Sequence, residues 1–211
     1  MTEHNTGYTF MQRQMSETLK ARLEGCRRVA LLGIGSELRG DDAAGILVVR
    51  EMGKLVSEGP FRCLDVAGFE GANAPENVTG YIRSYKPSHI LVVDAAEIGA
   101  QVGFCREISI SEISETNFST HTLPLKVIAD YLEQSTGADI VVLGIQPGPV
   151  GFAMAPTLEL VTAVARVSHC LYGLFRECDR YLVSEQSASV LPGGRMISGG
   201  LVGSGTTHDV P

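Results

Sequence analysis

The sequence has no excess of positive charge: 17 lysines and arginines stand against 24 aspartates and glutamates, giving a formal net charge of -7 and a pI near 5.2. A nucleic-acid binder draws most of its affinity from cations laid along phosphates, so that class of partner is excluded. There is no run of the ~18 apolar residues that a membrane span requires. The polar first 28 residues lack the apolar centre of a signal peptide. The five cysteines, Cys26, Cys63, Cys105, Cys170 and Cys178, are odd in number and scattered without a C-x-x-C pair, which fits a reducing cytosol. A cytoplasmic protein is expected, with neither nucleic acid nor membrane as partner. Two catalytic signatures are absent as well, the H-E-x-x-H of zinc proteases and the G-x-S-x-G elbow of serine hydrolases.

What is present fits one globular domain, since 211 residues with 44% hydrophobic and 19% charged side chains can bury a full core. Three continuous apolar runs stand out, Val29–Ile34, His89–Val93 and Ile140–Ile145. Strands with one wet face would alternate; these read as strands buried on both faces of a parallel sheet. Shorter strand candidates are Arg62–Val66 and Cys105–Ile110. Helical stripes lie between them: Ala44, Leu47, Val48 and Leu55 within Asp41–Leu55; Leu125, Ile128, Ala129 and Leu132; and Leu160, Ala163, Val164, Val167, Leu171 and Leu174, which Pro156 precedes. The expected fold is α/β, a doubly wound, mostly parallel sheet of about five strands with helices on both faces. The domain is expected over residues 28–180, after an N-terminal extension (1–27). A flexible Gly/Ser-rich tail (181–211) follows, holding six of the 24 glycines between Gly193 and Gly205.

In such sheets the ligand sits off the carboxyl ends of the strands. The loop after the first run reads Gly33-Ile34-Gly35-Ser36-Glu37-Leu38-Arg39-Gly40-Asp41-Asp42, a strand, a glycine turn and a helix start, which is the usual cradle for a phosphate. The dinucleotide pattern fails because Leu38 stands where its third glycine belongs. Gly35 and Gly40 keep the P-loop spacing, but Asp41 and Asp42 replace its lysine and hydroxyl, and carboxylates there repel a triphosphate. A nucleoside phosphorylase-like site would also need basic residues around the turn, and Arg39 alone is offered. The plain alternative is that Asp41 caps the helix while Asp42 favours its positive end.

Asp94 closes the strand HILVVD, and His121 lies in STHTLPL just ahead of the helix stripe that starts at Leu125. Each has its own ordinary reading, as a turn cap or a surface histidine. All three loops nonetheless belong at one edge of a doubly wound sheet. Two carboxylates and a neutral imidazole there make a first shell for a divalent metal with open positions.

These segments resemble the [NiFe]-hydrogenase maturation endopeptidases. GIGSELRGDDAAG is similar to that family's first motif, HILVVDA to its second and STHTLPL to its third. NAPEN (Asn73–Asn77) and LGIQP (Leu143–Pro147) resemble the branch that processes the large subunit of hydrogenase 3, the formate-hydrogenlyase enzyme. The likeness runs from about Arg28 to Cys178, with Ser36 where the family usually has Asn and Ala43 where Gly is common. It implies a cytoplasmic protease, aspartyl-type by its acidic residues, acting on the C-terminal region of a hydrogenase large-subunit precursor after nickel insertion. Asp42, Asp94 and His121 match the metal-contacting trio, while Asp41 is adjacent and does not match. The metal would be nickel carried by the substrate, with no tightly bound organic cofactor. Either the metal activates a water as a Lewis acid, or it positions the substrate while Asp42 or Asp94 acts as base. A reading of another class is a non-catalytic divalent-metal or peptide-binding module of hydrogenase assembly.

No four-cysteine or three-histidine cage is present to hold zinc permanently. Metal analysis after gentle purification is therefore expected to find far less than one metal per chain. Stoichiometric zinc that survives chelator would contradict this.

Overall fold

The computed structural model describes residues 17–109, 111–114, 117–118 and 125–189. Residues 17–22 are helical (α1). Strands β1 (Arg28–Ile34), β2 (Asp65–Ala72), β3 (His89–Glu97), β4 (Cys105–Ile108), β5 (Asn117–Phe118) and β6 (Asp139–Ile145) follow, interspersed with helices α2 (Ala44–Glu58), α3 (Thr79–Tyr85), α4 (Leu125–Thr136) and α5 (Leu158–Ser189). The main sheet has the order β2-β1-β3-β6-β4. Its first four strands are parallel and β4 is an antiparallel edge. β5 adds a two-residue antiparallel ladder at the end of β3.

The continuous apolar runs are buried on both faces for a geometric reason: successive side chains of a strand point to opposite sides. Leu31 on β1, Leu91 and Val93 on β3 and Val141 and Leu143 on β6 join Leu19 and Leu23 of the N-terminal segment, Val48 and Met52 of α2 and Leu160, Leu171 and Phe175 of α5 in one core. Their neighbours Ala30, Leu32, Ile90, Val92 and Val142 face the other way, against Ile82 of α3 and Leu125, Ile128 and Leu132 of α4. The sheet is thus covered on both faces, as the α/β reading requires. By length and composition α5 could cross a membrane, yet its apolar stripe is spent on the first core.

Three details differ from the expected elements. The strand expected at Arg62–Val66 begins only at Asp65, because the N–H groups of Arg62, Cys63 and Leu64 donate to the Asp179 carboxylate of α5 at 2.7 to 3.1 Å. Burial pushes the Asp179 carboxyl up, but these three donors outweigh it and hold it below the usual aspartate range. The helix expected from Asp41 opens as a 3-10 turn, Gly40–Ala43, before α2 proper. Packing also crosses both expected domain boundaries: Leu19, Leu23 and Cys26 are buried, and α5 runs on to Ser189 with Leu182 buried. Residues 1–16 and 190–211 of the expected extension and tail lie outside the described residues.

The N-terminus of α2 rests directly on the sheet through glycine. A Cβ on Gly33 would lie 2.3 Å from the Gly45 carbonyl oxygen, and one on Gly45 would lie 2.1 Å from that of Val93 and 2.5 Å from that of Ile34. Backbone cannot yield at those distances, so Gly45→Ala is expected to cost at least ~1–3 kcal/mol in urea unfolding. Gly53, on the same helix, has nothing within 4 Å of its Cβ position. Gly53→Ala is expected to stabilise by roughly 0.5–1 kcal/mol. Equal effects at the two positions would contradict the close seat.

Candidate active site

The loop that opens like a phosphate cradle folds back on itself. Gly35 has φ +127°, and a Cβ there would lie 1.8 Å from the Asp42 carbonyl oxygen. That oxygen accepts from the Ser36 N–H at 3.2 Å, and the Ser36 carbonyl accepts from the Arg39 N–H at 3.1 Å. Ser36 is thus held through its backbone, which any residue supplies. Ala43 has φ -70° in the ordinary helical region, so alanine fits where the resembling family often has glycine.

Asp41 does not cap the helix, since neither the 3-10 turn nor α2 receives a side-chain cap bond. Its buried carboxylate crosses to the loop between β6 and α5. Oδ2 accepts from the Gly148 N–H at 2.7 Å and from the Thr157 hydroxyl at 2.8 Å, and Oδ1 accepts from the Thr157 N–H at 2.6 Å. Backbone bonds run the same way, Gly40 N–H to the Met154 carbonyl at 3.0 Å and Ala153 N–H to the Leu38 carbonyl at 2.7 Å. The two loops form one unit.

Asp42 is equally buried but differently supplied. Its Oδ2 stands 3.7 Å from Nε of Arg39, while Oδ1 is buried without a hydrogen-bond partner. A buried carboxylate oxygen left in that state costs free energy unless a cation reaches it. The turn that carries Asp42 packs against β3, the strand that carries Asp94. Asp94 is fully buried at the carboxyl end of the parallel strands. It shares the strand face of Ile90 and Val92, and its Oδ1 accepts from the Ala95 N–H at 2.8 Å. The structure therefore brings the elements of Asp42 and Asp94 together at the sheet edge. His121 lies outside the described residues. Among the described residues no three His, Cys, Asp or Glu side chains form a metal-sized cluster.

Gln146, quoted in LGIQP for its resemblance alone, has a definite task. Its Oε1 accepts from the N–H groups of Ile98 at 2.9 Å and Ala100 at 3.2 Å, and its Nε2 donates to Glu97 at 2.8 Å and to the Pro147 carbonyl at 3.1 Å. It thereby fixes the loop that follows Asp94 on β3. One long polar side chain closing an apolar strand was the only sequence signal of that role.

A doubly wound α/β protein with an acidic, partly unsatisfied sheet edge is a class; comparison supplies the family. Residues 47–173 match the sequence profile of the hydrogenase maturation protease family HycI. The hydrogenase 3 maturation protease of Escherichia coli (strain K12) is 35% identical over 144 residues, covering 68% of this chain and 88% of that protein. Among solved structures, the [NiFe] hydrogenase maturation protease HycI from Thermococcus kodakarensis KOD1 superposes with a TM-score of 0.66 at 31% identity, over 74% of this chain and 97% of that one. The solution structure of the endopeptidase HycI from E. coli gives 0.58 at 34% identity, over 69% and 89%. The chain belongs to the hydrogenase maturation protease family. It is accordingly an endopeptidase of hydrogenase maturation.

The adjacent aspartates should respond unequally to loss of charge. Asp41→Asn replaces one of the two accepting oxygens with an NH2 that faces a protein donor, Thr157 N–H at the least, and is expected to cost roughly 2–3 kcal/mol in urea unfolding. Asp42→Asn, which discharges an oxygen with no hydrogen-bond partner, should cost less than ~1 kcal/mol. The reverse order would overturn this division of labour.

Proposed function

We propose that this protease acts in the cytoplasm on a [NiFe]-hydrogenase large-subunit precursor, removing its C-terminal extension once nickel has been inserted. The relatives named for hydrogenase 3 support a large subunit of that type as substrate. Asp42, Asp94 and His121 hold the precursor's nickel, so that only a loaded substrate presents its scissile bond correctly. The observation that carries this reading is Oδ1 of Asp42, a buried carboxylate oxygen without a hydrogen-bond partner at the strand ends. A hard oxygen donor in that state suits a divalent cation. The part given to His121 rests on the resemblance of STHTLPL.

The reaction adds one water across a peptide bond: the hydroxyl joins the carbonyl carbon, the C–N bond breaks, and a proton passes to the leaving amine. The protein's share is to present nickel and peptide in one fixed geometry. The acidic mouth supplies carboxylates that can take the proton from the attacking water.

Incubation with nickel-loaded precursor, followed by mass spectrometry, is expected to show loss of the extension. Metal-free precursor should stay intact. Asp42→Asn, Asp94→Asn and His121→Ala should abolish processing, with the stability of the histidine variant within about 1 kcal/mol of the parent. Equal cleavage of loaded and empty precursor, or full activity in these variants, contradicts the reading.

A further inference from the structure

Beside the candidate site the two joined loops leave large apolar side chains in water. Phe152 is 81% exposed, Leu158 78% and Leu38 64%, with Met154 and Val161 also exposed. Their placement is built in. Leu38 and Ala153 are joined by a backbone hydrogen bond, Arg39 and Met154 form a β-bridge, and Leu158 and Val161 sit a turn apart at the start of α5. Ala153, with φ +58°, adopts the left-handed conformation that a non-glycine residue takes at a cost. It stands between Phe152 and Met154, so the strained residue shapes the loop on which both are displayed. Large apolar side chains held in water on two joined loops beside a site mark a place where something binds.

The charge around it says what kind of partner fits. Glu37 and Glu70, both partly exposed, share the single Arg50, and Glu159 is exposed in the first turn of α5. The exposed carboxylates Glu37, Glu70 and Glu159 outnumber the partly exposed Arg39 and Arg50. The rim repels acidic chain and accepts apolar chain with neutral or basic neighbours. A second copy of this chain, at a formal net charge of -7, would meet its own repulsion there.

We infer that Leu38, Phe152, Met154 and Leu158 form the docking surface for an apolar, non-acidic segment of the precursor polypeptide. This rests on the proposed protease reading and deepens it: the trio reads the metal, and this surface holds the chain. Because its loops are hydrogen-bonded to the one that carries Asp41 and Asp42, a segment bound here lies beside the reacting bond.

The test uses the full chain and purified nickel-loaded precursor, with Phe152→Ser, Leu158→Ser and the double variant. Each position is exposed, so thermal melts should match the parent. The expected result is a KM raised about tenfold or more in the double variant, with kcat within about twofold, since buried apolar anchors dominate such contacts. Binding of fluorescently labelled precursor should weaken by the same factor. That arm stands even if the parent fails to cleave, an outcome that would remove the protease reading alone. Unchanged KM and unchanged precursor binding overturn the inference. So does sedimentation in which the parent is a dimer that the double variant disperses while precursor binding persists.

Discussion

Asp41 is the buried charge that holds the site in shape. Its carboxylate takes three hydrogen bonds from Gly148 and Thr157, residues that begin the approach to α5, and so ties the loop after β1 to the loop after β6. With that residue fixed, Asp42 has little freedom. One of its oxygens faces Arg39 at 3.7 Å and the other has no hydrogen-bond partner. Two neighbouring aspartates thus stand in opposite conditions, one spent on structure and one held in reserve. The fold supplies three donors to the first and none to Oδ1 of the second, and the proposed metal role of Asp42 starts from that difference.

The glycines of this turn serve close packing. Gly33 and Gly45 let α2 descend onto β1 and β3, and Gly35 accommodates the Asp42 carbonyl. The sheet edge keeps the geometry of an anion cradle while its side chains carry the opposite sign. Negative side chains in that turn favour a cation over an anion. Gln146 completes the frame by pinning the loop beyond Asp94 from the neighbouring strand.

The three central strands were legible because each is buried on both faces and leaves an unbroken apolar run; the parallel sheet follows from that alone. β2 was not legible in place. As an edge strand carrying Gly68 and Gly71 it has a weak pattern, and the more apolar residues just before it are captured by Asp179, 115 to 117 positions away. α3 escaped notice because seven residues with one buried side chain, Ile82, make no stripe. At the site, although β3 runs on to Glu97 where the sequence placed the strand's end at Asp94, the positions of Asp42 in the turn after β1 and of Asp94 toward the carboxyl end of β3 were readable. The work of Asp41 was not, since its partners lie 107 and 116 residues further on. His121 remains a sequence assignment.

The central claim is that Asp42 keeps an oxygen for a metal it does not own. Anomalous diffraction at the nickel edge, from crystals of this protein bound to nickel, measures that directly. The account predicts a nickel peak about 2.0–2.2 Å from Asp42 Oδ1, the span of carboxylate bonds to such ions, with Asp94 and His121 in the same shell. A nickel peak elsewhere, with Asp42 Oδ1 bonded only to protein or water, would contradict it.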